Sequence, residues 1–209
     1  MVSAGYSYGS EESSGYIKYA NIYRKRSPEL SVQMLEKLRT VQPDYPVDAE
    51  AGHFFYTANR FDKAIEYFSK VDLGKFNENY LTEYATATYL SSDSKKSLEI
   101  SQYGVQKNPR DAAMNRLCFY NYTDLKDYPN ALKYADALFN KSDSAKFSAR
   151  DYQYYGYALM GDSAFDRLLL SLRKHLNLTL HSMMLRSSFL MHILQRKIML
   201  RDLLFMMNI

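Results

Sequence analysis

The chain has 209 residues, enough for one or two domains with a sizeable core. With 46% hydrophobic and 24% charged residues, it has the balance of a globular protein. The net charge of +4 comes entirely from the segment 161–209, which holds seven Lys/Arg and three Asp. The segment 1–160 is neutral overall, which argues against a nucleic-acid-binding face. A single cysteine, Cys118, excludes an internal disulfide framework. No apolar stretch runs long enough for a membrane span, and no export signal opens the chain as written.

Residues 1–14, "MVSAGYSYGSEESS", are rich in Gly and Ser and read as a flexible lead-in. Beyond them the chain repeats itself. "ELSVQMLEKLRTVQP" places the small residue Ser31 before Val32 and ends at Pro43. "RFDKAIEYFSKV" places Ala64 before Ile65, with an aromatic three residues earlier at Phe61. "SKKSLEISQYGVQKNP" places Ser97 before Leu98 and ends at Pro109, and "DYPNALKYADAL" places Ala131 before Leu132. The small residues Ser31, Ala64, Ser97 and Ala131 therefore recur at a nearly constant step of about 33 residues. Before each lies a second apolar segment at helical period, such as "AEAGHFFYTANRF", in which Ala51, Gly52 and Phe55 share a face. Breaker residues stand between the segments, at "SPE" 27–29, "TANR" 57–60, "SSDS" 91–94 and "LKDYP" 125–129. The spacing predicts pairs of helices whose small residues allow close approach.

This pattern resembles the tetratricopeptide repeat, W-x2-L-G-x2-Y, then A-x3-F, then P over about 34 residues. The likeness covers residues 15–165. It holds at the small, aromatic and proline positions and departs at the first, since the chain has no Trp. The segment "NKSDSAKFS" also lengthens the last repeat. The resemblance implies an all-α, right-handed solenoid of helix-turn-helix repeats, at 15–44, 45–77, 78–110 and 111–147, with a fifth beginning at 148. The lack of a polar capping element suggests a piece of a longer array.

Enzyme chemistry finds no support. There is no metal-ligand spacing, phosphate loop or nucleophile motif, so neither catalysis nor a cofactor is expected. Cys118 falls at a helix-packing position and reads as a core thiol. What the resemblance implies instead is a groove lined by the first helices, which takes a protein or peptide partner. In the repeat register Tyr23, Tyr56 and Tyr89 occupy one row, and Ala20, His53, Thr86, Tyr120 and Tyr157 the row one turn earlier. Arg116 and Arg150 lie a further turn back, giving a tyrosine-lined groove with basic groups at one end. Tyrosine suits such a surface because it offers rigid apolar area and a hydroxyl. The competing reading places these tyrosines between repeats as filler. The Lys/Asn carboxylate clamp known from the family is not matched. An alternative is a structural or oligomerisation scaffold, with self-association through apolar repeat ends. Compartment stays open, cytoplasmic as written and exported if a longer start precedes it.

From Gly161 the composition changes to thirteen Leu and six Met, with no Glu and no Tyr. Reading the third base of each codon with the next two turns Met191–His192 into alanine. The same shift turns Met183–Met184 into aspartate and Met207–Asn208 into glutamate, restoring the character of the body. Residues 166–209 are thus expected to be a frameshifted reading of the fifth repeat. The alternative is a basic amphipathic helix that caps the array or lies on a membrane.

Overall fold

The structure, a computed structural model, describes residues 11–143 and 145–162. The expected tail, 166–209, lies outside them. Every regular element among the described residues is helical. The helices are α1 Glu11–Tyr23, α2 Pro28–Val41, α3 Val47–Thr57, α4 Phe61–Phe68, α5 Glu78–Leu90, α6 Ser94–Lys107, α7 Ala112–Asp124, α8 Tyr128–Asp136 and α9 Ala149–Gly161. A short 3-10 turn, Leu73–Lys75, precedes α5, and a π-helical segment, Ala137–Lys141, extends α8. Composition predicts a lead-in running to residue 14, but residues 11–14 already belong to α1.

The helices α1–α8 form four successive pairs, each packed within itself and against the next. Residues 146–162 belong to a separate unit carrying α9. The pairing follows from the small residues: Ser31, Ala64, Ser97 and Ala131 are all 0% exposed, so each marks where the second helix of a pair meets its neighbour. A compensating exchange of size supports the same contact. A Cβ on Gly52 would lie 2.5 Å from the Phe68 ring, so Gly on the first helix makes room for Phe on the second. At the equivalent sites of the next pair stand Ala85 and Ser101, and of the last, Phe119 and Ala135. All of these are buried; between the first and last of these pairs bulk has moved from one helix to the other at roughly constant volume, while Ala85 and Ser101 are both small.

Turns explain why the period is so regular. The three-residue links after α3, α5 and α7 each contain one left-handed residue, Asn59 (φ 58°), Ser92 (φ 64°) and Lys126 (φ 62°). In each, the next amide reaches back five residues, as Arg60 N–H to Phe55 O, Asp93 N–H to Thr88 O and Asp127 N–H to Tyr122 O. This is the Schellman closure of a helix end, made without glycine. Asp93 and Asp127 then cap α6 and α8 with their side chains. The link after α1 differs. It has four residues, and both Arg26 N–H and Ser27 N–H donate to Tyr23 O. Between pairs, Arg39 of α2 grips Asp48 of α3 with two nitrogens, at 3.0 and 2.9 Å.

Candidate functional site

The first helices α3, α5 and α7 touch in sequence, α3 with α5 and α5 with α7. Their shared face carries most of the expected residues. His53 of α3 is the centre of the best-defined arrangement. Its Nδ1 stands 3.0 and 2.8 Å from the two carboxylate oxygens of Glu83 on α5. Its ring lies over Tyr80 at 5.0 Å and 23°. The Tyr80 hydroxyl in turn donates to Glu50 Oε1 of α3 at 2.7 Å. Burial pushes the Glu50 carboxyl above its ordinary value, against the opposing pull of Tyr80, His53 and Arg24. The same burial, with Glu50 beside it, pushes the Tyr80 hydroxyl far up. One turn along, the half-buried Tyr56 hydroxyl is hydrogen-bonded to the Thr86 side chain, and the Tyr56 ring tilts against Phe61 at 5.8 Å.

On the other side of α5, Tyr89 meets Tyr120 at 5.9 Å. Tyr120 is buried, so it fills the contact between α5 and α7, while Tyr89 stays half-buried. Arg116 is also half-buried on α7. The structure thus brings His53, Tyr56, Thr86, Tyr89 and Tyr120 together.

Tyr23 does not join them. The register takes all turns as equal, but the longer link after α1 breaks it, and Ala20 is wholly buried instead of lying in the row with His53. Tyr23 stacks with Tyr19 on an exposed stripe that includes Ile22. Arg150 and Tyr157 belong to α9 in the second unit, where both are exposed and Gln153 Nε2 donates to the Tyr157 hydroxyl at 2.8 Å.

Sequence reasoning overlooked Glu50, Tyr80 and Glu83. The available signal was a shared offset: Glu50 to Tyr80 and His53 to Glu83 are both acceptor–donor pairs at the same separation along the chain. Cys118 behaves as a core thiol. It is sealed, its Sγ lies 3.3 Å from Ser101 Oγ, and burial pushes it up to about 12. Among the described residues no group of His, Cys, Asp or Glu could hold a metal ion, and no helix is long and apolar enough to cross a membrane.

Among solved structures, YrrB, described as a tetratricopeptide repeat protein with an unusual peptide-binding site, superposes with a TM-score of 0.67 at 16% identity. The match covers 83% of this chain and 89% of that one. The fold is that of a tetratricopeptide repeat protein. MamA matches this repeat array with a TM-score of 0.65 at 16% identity, over 80% of this chain and 91% of that one. A tetratricopeptide repeat protein from Parabacteroides merdae gives 0.63 at 14%, over 80% and 68%. No family model and no curated protein matches the sequence of the array.

Proposed function

We propose that the chain is a non-catalytic scaffold that binds an extended protein segment on the face shared by α3, α5 and α7. The observation that carries this reading is the row of half-buried polar and aromatic side chains, His53, Tyr56, Thr86 and Tyr89, at equivalent positions of successive helices. His53, Tyr56 and Thr86 bond across the α3–α5 joint and still keep part of their surface open. A partner's main chain needs hydrogen-bonding groups at regular steps and rigid apolar area between them. The peptide-binding site named for YrrB supports the view that this fold accommodates such a ligand.

Panning a random peptide library on the purified chain tests this. Peptides enriched on the wild type should bind Thr86→Arg at least about tenfold more weakly, because the new side chain fills the middle of the face. Circular dichroism should show both proteins equally helical. Failure to enrich any peptide, or equal binding by the variant, overturns the reading.

A further inference from the structure

We infer that His53 is the proton-sensitive contact of the binding face, accepting a hydrogen bond from the partner through Nε2 when neutral and refusing it when protonated. This rests on the peptide-binding reading above. The argument begins with the other ring nitrogen. Nδ1 faces both oxygens of the Glu83 carboxylate, and an acceptor on that side requires Nδ1 to carry hydrogen in either charge state. Protonation therefore takes place at Nε2. That atom has no hydrogen-bond partner among the described residues and is not one of the sealed, unsatisfied polar atoms. The ring cannot turn away easily, since Tyr80 stacks beneath it and Glu83 anchors it from the next repeat.

The charged and titratable groups around the imidazole are Glu83 and Tyr80 from α5 and Glu50 from its own helix, with the Arg24 guanidinium acting on Glu50. A neutral His53 leaves the two carboxylates in excess over Arg24, so the site favours a hydrogen-bond donor such as a peptide N–H or a basic side chain. A proton on Nε2 removes the acceptor and cancels that excess in one step. Equivalent positions on α5 and α7 carry Thr86 and Tyr120, which do not titrate in this range, so the control is confined to a single repeat.

The test takes peptides enriched on the wild-type chain and measures affinity from pH 8 to pH 5.5. Wild-type binding should weaken toward acid by up to about tenfold, the loss of one hydrogen bond, and His53→Gln should flatten the profile while staying helical. In the full chain, the ring-proton NMR signal that disappears in His53→Gln should titrate with the same midpoint as the binding curve. A flat wild-type profile, or a slope that persists in His53→Gln, overturns the inference while leaving the peptide-binding face intact if Thr86→Arg still blocks it. Failure to enrich any peptide removes both.

Discussion

Helix α5 faces α3 through carboxylates, an imidazole and a phenol hydroxyl, and it faces α7 through a different set. Tyr80 and Glu83, which supply the polar links to α3, have Met114 and Leu117 as their counterparts one repeat later on α7. Both are buried, and Met114 lies so close over Gly104 of α6 that a Cβ there would meet it at 2.6 Å. Two joints with the same helical framework are thus held by different forces. The contact of α7 with α6 and α5 is held by close packing, Met114 over Gly104 and Tyr120 against Tyr89, and by the exclusion of water, which depend little on pH. The α3–α5 joint is held by directional bonds that include an imidazole and carboxylates, and these groups are half-buried. Repetition fixes where helices meet; the residues at the meeting decide whether the joint is inert or responsive.

The packed joint should break hardest. Met114→Ala removes a wholly buried side chain and should cost about 2–5 kcal/mol in urea unfolding. Adding Gly104→Ala should recover part of that, because the new methyl fills space the methionine left. If the double variant is less stable than Met114→Ala alone, the two residues do not share one contact. Labelling of Cys118 by a thiol reagent gives an independent reading, since the sealed thiol should react only on unfolding.

The polar joint should give a smaller, pH-dependent response. Tyr80→Phe leaves Glu50 without its hydroxyl donor and should destabilise by about 1–3 kcal/mol at neutral pH, with a smaller penalty in acid. No loss at either pH would mean that the ring, which phenylalanine keeps, and not the hydroxyl carries the contact. The smallest effect should be a gain. Because burial holds the Glu50 carboxyl above its unfolded value, its protonated form suits the fold better. Stability from this group is full below the unfolded value and declines as pH rises through the folded one. Glu50→Gln should therefore raise Tm at neutral pH, keep an acceptor for Tyr80, and lose its advantage as the solution is acidified. A lower Tm at neutral pH would show that the charge on Glu50 is needed by His53 or Arg24.

How far the sequence revealed all this depended on the kind of residue. Ser31, Ala64, Ser97 and Ala131 were readable because close helix contact tolerates nothing larger, and the spacing alone exposes them. Tyr23 was misplaced because a period counts residues, while the direction a side chain faces depends on how its helix joins the next, and the link after α1 is one residue longer than the others. The partners of His53 were harder to see for another reason. Glu50, Tyr80 and Glu83 belong to no repeat motif, and a polar residue half-sheltered between two helices has the same letter as one in open water.

The exchange of bulk between Gly52–Phe68 and Phe119–Ala135 bears on how such an array can evolve. Duplicating or deleting a whole helix pair carries both halves of the fit along, so it is tolerated. Recombination inside a pair is not: joining the Phe119 helix to the Phe68 helix would force two rings into one space. The heritable unit of this chain is the hairpin, and crossovers that survive should fall in the connections between hairpins, not at their tips.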